Sequence, residues 1–276
     1  MGFELMQVCP GVTHIKDAMG VCMTLIEGEK SALLVDTGYG VEELAPLMTH
    51  LIGNKSLYVL LTHHHHDHAL GVRGLGAIAG CEYSMLKEDA PAWETYTGMA
   101  RRRIVLQQAI TKGIEVDENE FLSGVLDAPG TAVPGDIDLG GLTARIISCP
   151  GHTPGSVCVL IVERKLLLTG DDWNPCTWLF FPEALGVAEY RQNVRLLQAL
   201  DFTHVLCSHQ LEFYPRKVFD AFVDGLTDEV LCAAKPVNIG GWEHVDTRQA
   251  DVADGQILVF DWMAIFKRNT VARMAG

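Results

Sequence analysis

A short histidine-rich segment constrains most strongly what this chain can fold into. His63, His65, Asp67 and His68 spell the pattern H-x-H-x-D-H, and they follow an apolar run at residues 57–61. That run is typical of a buried strand, and the small residues beyond the histidines indicate a helix. Because ligands bind beyond the carboxyl ends of strands in layered α/β folds, the segment predicts a metal site in such a fold.

The spacing within this motif indicates how its side chains are shared. Side chains two residues apart in an extended segment point the same way, so His63 and His65 can converge on one cation. The chain must then turn, which lets Asp67 and His68 face a second cation. Imidazole suits zinc, and a carboxylate suits zinc, manganese or iron. A metal-scavenging tract and an expression tag are weaker interpretations, because a tag belongs at a terminus.

Further motifs extend the pattern along the chain. An aspartate ends an early apolar run (Asp36), a histidine lies in the turn Pro-Gly-His-Thr-Pro-Gly (His152), an aspartate follows Thr-Gly (Asp171), and a late histidine follows another apolar run (His209). Together with H-x-H-x-D-H, this ordered set resembles the metallo-β-lactamase superfamily, in particular its glyoxalase II and lactonase-like dinuclear branch. The resemblance runs from about residue 20 to 210.

The resemblance implies the fold of that family. It is an α/β fold of the αββα sandwich type, in which two mixed β-sheets pack face to face with helices outside. One domain is therefore expected over residues 1–276, with an insertion at about 88–130. Strands are expected near residues 12–15, 21–27, 31–36, 57–62, 143–148, 157–163, 165–170, 204–208 and 256–260, and helices near 41–53, 187–200 and 215–233.

The resemblance also implies two metal sites. It assigns His63, His65 and His152 to the first, Asp67, His68 and His209 to the second, and Asp171 as a bridge between them. Asp171 is preferred over its neighbour Asp172 because it directly follows Gly170, as the motif requires. Asp36 is expected to support the ligands through hydrogen bonds. The expected cofactors are two divalent metal ions, with zinc favoured over iron or manganese.

The chemistry of such a site follows from its ligands. Two metals about 3.5–4 Å apart can share a water molecule and lower its pKa, and the resulting hydroxide attacks a carbonyl or phosphoryl centre. Asp67 can orient this nucleophile or take up its proton, so it is the expected catalytic side chain. The predicted function is a dinuclear metallo-hydrolase, and the bridging Asp171 resembles that of thioester, lactone and phosphodiester hydrolases. A small ester, thioester or lactone is the expected substrate.

Three other functions on the same centre stay open. They are an iron-dependent oxidoreductase of the same fold, a phosphodiesterase or nuclease, and a β-lactamase-like amide hydrolase. The β-lactam-cleaving branches usually lack the bridging carboxylate. Lactonases of the family often carry a tyrosine three residues after the bridge, where this chain has Asn174. The basic glutathione-binding elements of glyoxalase II are not recognisable near the C-terminus.

Charge and composition bear on partners and location. The net charge of −14 opposes nucleic-acid binding, and no apolar run reaches the roughly 18 residues of a membrane span. The cluster at residues 101–103 is interpreted as the solvated face of a helix over about 98–112, with an anion clamp as the alternative. The eight cysteines form no C-x-x-C pair, and no signal peptide is visible. A cytoplasmic enzyme with a small-molecule substrate is expected.

An aromatic segment follows the bridging aspartate. Residues 173–182 contain Trp178 and Phe181, which are predicted to bind substrate, and with the insertion at 88–130 they would form the substrate-facing wall. Core packing is the alternative for these aromatics. His64 and His66 alternate with the candidate ligands and are expected to point away from the metals.

Overall fold

The computed structural model describes residues 2–265. Its strands are Glu4–Cys9 (β1), Val12–Lys16 (β2), Cys22–Glu27 (β3), Ser31–Val35 (β4), Ser56–Leu60 (β5), Glu82–Met85 (β6), Gly130–Thr131 (β7), Gly135–Asp138 (β8), Thr143–Ser148 (β9), Val157–Ile161 (β10), Leu166–Leu168 (β11), Cys176–Leu179 (β12), His204–Leu206 (β13), Phe213–Pro215 (β14), Lys235–Pro236 (β15), Thr247–Ala253 (β16) and Gln256–Asp261 (β17). The α-helices are Leu44–Ile52 (α1), His66–Ala69 (α2), Val72–Leu75 (α3), Trp93–Thr97 (α4), Met99–Thr111 (α5), Glu118–Leu122 (α6), Val187–Gln198 (α7), Arg216–Gly225 (α8) and Asp228–Cys232 (α9). Short 3₁₀ turns cover Lys87–Ala92, Val162–Arg164 and Trp262–Ile265.

Two mixed β-sheets form the centre of the fold. The first has the strand order β1-β2-β3-β4-β5-β6-β7, antiparallel as far as β4 and parallel from β4 to β7. The second has the order β14-β13-β11-β10-β9-β8, in which β11 and β13 run parallel. The inner faces share one apolar cluster, to which β4 contributes Leu33 and β10 contributes Val159. β4 and β10 are buried along their whole length, as strands covered on both faces must be.

Helices cover the outer face of each sheet. Met48 of α1 packs with Leu34 on the outside of the first sheet. Tyr190 of α7 and Phe219 of α8 pack with Val205 outside the second sheet. These layers confirm the predicted αββα sandwich. The expectation of one domain over residues 1–276 stays a prediction.

A third sheet and a broken helix differ from the sequence prediction. The sheet has the order β12-β17-β16-β15, and of its strands only β17 was predicted. The single helix expected at 215–233 is two helices, α8 and α9. α8 ends at Gly225, where a Cβ would lie 2.1 Å from the Val252 carbonyl oxygen of β16. α9 then starts afresh, because the Thr227 side chain accepts a hydrogen bond from the Val230 amide.

Residues 88–130, which the sequence predicts to be an insertion, contain the helices α4, α5 and α6, as expected. Their basic cluster is not a uniformly solvated face. Arg102 is buried, and its guanidinium donates hydrogen bonds to the carbonyl oxygens of Phe121, Ser123 and Gly124. It therefore fixes the end of α6 to α5. The solvated-face interpretation is wrong for Arg102, because these carbonyls at the helix end need donors.

No helix within residues 2–265 is long and apolar enough to cross a membrane.

Candidate metal centre

The candidate ligands lie at the ends of strands from both main sheets. Residues 63–68 follow β5, His152 lies in the turn between β9 and β10, Asp171 follows β11, and His209 follows β13. Gly170 turns the chain just before Asp171 with a φ of +54°. A Cβ at Gly170 would lie 3.0 Å from the Thr62 side chain, so the strand ends approach too closely for a larger residue.

The first cluster consists of three buried histidines. His152 Nε2 lies 3.0 Å from His65 Nδ1, and the His63 ring centroid lies 4.6 Å from that of His65 and 4.8 Å from that of His152. One ring nitrogen of each lies within 4.8 Å of the others. The side chains assigned to the first site therefore converge.

The second cluster adjoins the first and contains two carboxylates. Asp171 Oδ2 lies 3.0 Å from His209 Nε2, 3.4 Å from His68 Nε2 and 3.7 Å from His152 Nε2. Asp67 Oδ2 lies 3.6 Å from His68 Nε2. Asp171 thus lies between the two clusters, in the position that a bridge would need.

Three buried polar atoms in these clusters have no hydrogen-bond partner. They are His63 Nε2, His68 Nε2 and Asp171 Oδ1. A buried polar atom without a partner costs about 1–3 kcal/mol. The donor set of imidazole nitrogens and carboxylate oxygens suits zinc, iron or manganese, so a divalent cation would satisfy these atoms.

The outward-facing nitrogen of four histidines contacts an acceptor. The pairs are His63 Nδ1 with Thr62 Oγ1 (3.0 Å), His65 Nε2 with Glu183 Oε1 (2.9 Å), His68 Nδ1 with Asp36 Oδ2 (2.9 Å) and His152 Nδ1 with the Trp178 carbonyl oxygen (2.7 Å). A ring that donates through one nitrogen presents the lone pair of the other, which is the arrangement of metal-binding histidines.

Asp36 ties the strand ends together. It has a φ of +64°, and its carboxylate accepts hydrogen bonds from the Thr62 amide (2.7 Å), the Thr62 hydroxyl (2.9 Å) and the His68 ring. A non-glycine residue in the left-handed region costs free energy that the surrounding bonds must offset. These contacts are those that the predicted supporting role requires.

Burial and neighbouring charge set the protonation states of the clusters. Burial lowers the pKa of His63 and His152, and it lowers the pKa of His65 to about 3. Burial raises the pKa of Asp67, but the positive charge of His68 and its neighbours outweighs this and brings the pKa to about 2. Burial alone would also lower the pKa of His68 and His209. The neighbouring carboxylates of Asp171, Asp67 and Asp36 instead raise the pKa of His68 well above its usual range, and Asp171 raises the pKa of His209. The first cluster therefore presents neutral imidazoles, whereas a divalent cation that binds to the second cluster would displace a proton from His68.

Two carboxylates that the sequence did not indicate form hydrogen bonds with the loops that carry the candidate ligands. Asp89 of the insertion accepts hydrogen bonds from the amides of His64 (3.1 Å) and Gly155 (2.6 Å) and from the Thr153 hydroxyl (2.9 Å). It therefore joins the loop after β5 to the turn that carries His152. Glu183 contacts His65 from the turn after β12. Neither residue lies in a recognisable motif, so no local signal marks them.

His64 and His66 lie outside the two clusters, although His64 Nε2 lies 3.4 Å from the Glu183 oxygen that contacts His65. His64 Nδ1 lies 2.9 Å from Asp89 Oδ2. The His66 ring lies edge-on to Tyr39 and stacks on Tyr96.

The aromatic segment divides between core and site. Trp173 and Phe180 are buried in the protein, whereas Trp178 is 38% exposed. The Phe181 ring lies 4.7 Å from the His65 ring, and it also contacts Trp242 at 5.3 Å. The core interpretation therefore applies to Trp173 and Phe180, whereas substrate contact by Trp178 and Phe181 stays a prediction. Trp242 is an aromatic neighbour of Phe181 that the sequence did not indicate.

Comparisons with known proteins identify the family of this chain. The family model described as the metallo-beta-lactamase superfamily matches residues 18–209. A hydroxyacylglutathione hydrolase of Shewanella halifaxensis is 29% identical over 156 residues, covering 56% of this chain and 48% of that protein. An atrochrysone carboxyl ACP thioesterase of Cryptosporiopsis is 30% identical over 143 residues, covering 51% of this chain and 34% of that protein. The chain thus matches about half or less of the length of these curated relatives.

A solved structure shows the same fold. The metallo-beta-lactamase from Pontibacter korlensis superposes with a TM-score of 0.55 at 18% identity, covering 79% of this chain and 95% of that one. At this identity the likeness concerns the fold alone. The family match, which extends over more than half of the sequence, establishes that this chain belongs to the metallo-β-lactamase superfamily.

Proposed function

We propose that this protein is a metal-dependent hydrolase that holds two divalent cations, with zinc as the favoured metal, and cleaves a small thioester or ester. The observation that carries the proposal is the pair of adjoining His/Asp clusters with Asp171 between them. His63, His65 and His152 would hold the first cation. Asp67, His68 and His209 would hold the second, and Asp171 would contact both.

The chain's own residues would order the reaction. Cations held by these residues would lower the pKa of a water molecule and polarise the carbonyl oxygen of the substrate. Asp67 lies beside His68 and within 3.8 Å of His209 Nε2, where its carboxylate can accept the proton of the attacking water. The water oxygen bonds to the acyl carbon, the bond to sulfur or oxygen breaks, and the proton passes to the leaving group. No side-chain nucleophile is needed.

The relatives favour a thioester among the possible substrates. The hydroxyacylglutathione hydrolase and the ACP thioesterase are both named for acyl groups carried on a thiol. Asn174 stands where lactonases of the family often have a tyrosine, which disfavours a lactone. The aromatic neighbours of the clusters suit an apolar acyl group.

Trp178 and Phe181, with the insertion at about 88–130, would form the wall that contacts this acyl group. Phe181 packs against His65 and His152, and Trp178 lies next to it at 6.4 Å between ring centroids. Changing Trp178 to Ala should raise KM or shift substrate preference while the metal content stays unchanged.

A substrate panel tests the proposal. Zinc-loaded protein would be assayed against acyl thioesters, lactones, phosphodiesters and β-lactams, before and after chelation and zinc restoration. Thioester hydrolysis that chelation abolishes and zinc restores is the expected result. Hydrolysis of phosphodiesters or β-lactams alone, or activity that chelation leaves unchanged, would contradict it.

A further inference from the structure

The histidines of the first cluster differ in the acceptor that contacts the ring nitrogen facing away from the cluster. His63 contacts the Thr62 hydroxyl and His152 contacts a backbone carbonyl, both of which are neutral. His65 instead contacts the Glu183 carboxylate at 2.9 Å. In the second cluster, the corresponding carboxylate is Asp36, which belongs to the family motif. The chain therefore offers a carboxylate to a histidine of each cluster, and Glu183 lies outside all the recognised motifs.

The Glu183 contact determines which ring nitrogen of His65 carries the proton and which one can bind a cation. An ionised carboxylate only accepts hydrogen bonds, so His65 Nε2 must carry the proton. His65 Nδ1 then presents its lone pair, and it lies 3.0 Å from His152 Nε2 inside the first cluster. The opposite tautomer would place two acceptors face to face at Glu183 and a proton inside the cluster. The carboxylate thus selects the form of His65 that can bind a cation.

Glu183 is itself held from a separate part of the chain. The Tyr96 hydroxyl of α4 donates to the same oxygen, Oε1, at 2.5 Å, and His64 Nε2 lies 3.4 Å from it. The centroid of the Tyr96 ring lies 4.5 Å from that of the His65 ring. The centroid of the Phe181 ring, from the turn after β12, lies 4.7 Å from it. The insertion and the turn after β12 therefore meet at His65 and fix its position from two elements.

We propose that Glu183, oriented by the Tyr96 hydroxyl, is the positioning residue of His65 and strengthens binding of the metal ion in the first site. This inference rests on the proposed metal centre. The alternative is that Glu183 only links Tyr96 of residues 88–130 to the turn after β12 and has no effect on metal affinity. A carboxylate hydrogen-bonded to a metal-binding histidine typically changes metal affinity about 10–100-fold when it is replaced.

Zinc affinity measured by chelator competition tests the proposal on the full chain. Glu183→Gln keeps the size of the side chain and an acceptor oxygen but removes the charge, and Glu212→Gln is the matched control at an exposed glutamate. In Glu183→Gln, one zinc ion should bind about 10–100-fold more weakly and the other within about threefold of wild type. Glu183→Ala should weaken the same ion further, and Tyr96→Phe should weaken it less.

A spectroscopic readout separates positioning from simple stabilisation. Histidine side-chain proton–nitrogen NMR of the zinc-loaded protein should show a protected His65 Nε2–H signal at low field. The signal should move upfield in Glu183→Gln and stay in place in Glu212→Gln. If Glu183→Gln folds poorly, Tyr96→Phe gives the same comparison, because it changes the orientation of the carboxylate without altering its charge.

The outcomes distinguish this inference from the proposed function. If wild-type protein binds two zinc ions and Glu183→Gln holds both as tightly, with only a lower melting temperature of the metal-free form, the positioning role is refuted and the metal centre stands. If wild-type protein fails to bind two zinc ions, the proposed metal centre is refuted, and this inference with it.

Discussion

Asp89 should contribute more to stability than its place outside every motif suggests. Its buried carboxylate accepts hydrogen bonds from the His64 amide, the Gly155 amide and the Thr153 hydroxyl, at 2.6–3.1 Å. Asp89→Ala would leave these donors without their acceptor. Each hydrogen bond to a charged group contributes about 1.5–3 kcal/mol, and partial access of water to the new cavity offsets part of the sum. We expect the free energy of unfolding to fall by about 3–5 kcal/mol.

Urea denaturation of the metal-free protein measures this loss without any contribution from bound cations. Asp89→Asn should lower the free energy of unfolding by about half as much, because its one amide oxygen can still accept hydrogen bonds while its NH₂ group cannot. The control is Asp201→Ala, which removes an exposed ion pair with Lys165 and should cost under about 1 kcal/mol. A loss of less than about 1 kcal/mol in Asp89→Ala would refute the argument that this carboxylate joins the two ligand loops.

The remaining predictions concern the bridge, the aromatic wall and pH. Asp171→Asn should abolish activity and lower the metal content. Asp172→Asn should change both little, because the Asp172 carboxyl lies outside the two clusters and accepts a hydrogen bond from the His152 amide, which an amide oxygen can also accept. Equal losses would mean that the bridge is misplaced. Phe181→Ala should raise KM with a small change in melting temperature. Trp173→Ala should lower the free energy of unfolding by about 3–5 kcal/mol, because Trp173 is fully buried. A large drop in the melting temperature of Phe181→Ala would identify Phe181 as a core residue. Burial lowers the pKa of His14 to about 4 from the 6.5 of the unfolded chain, so the unfolded state binds a proton that the folded state does not. The free energy of unfolding should therefore decline as the pH falls from about 6.5 to 4, and His14→Gln should flatten that part of the profile; an unchanged slope would exclude His14 as the cause.

The site could be predicted where its chemistry is local in the sequence. The candidate ligands each follow a strand and carry a characteristic short context, such as Thr-Gly before Asp171. Asp89 and Glu183 could not be found in this way, because they reach the ligands only through folding. Glu183 lies 118 residues from His65 along the chain. Single carboxylates in loops are common, and nothing in their own neighbourhood marks these two.

The strands and helices likewise divide into those that the local sequence predicts and those that depend on tertiary contacts. The central strands were predicted because they are continuous apolar runs, and β9 begins and ends where the sequence indicated. The third sheet was largely missed because β15 has two residues and β12 alternates exposed and buried positions within a segment rich in aromatics. The break between α8 and α9 was missed because the approach of β16 to Gly225 is a tertiary contact.

The metal content of the purified chain tests the central claim most directly. Protein purified without a histidine tag would be saturated with zinc, freed of excess metal by gel filtration, and analysed for zinc against protein concentration. The two adjoining clusters around Asp171 predict close to two zinc ions per chain, and about one or fewer in Asp171→Ala. At most one tightly held zinc ion in the wild-type chain would contradict the dinuclear centre.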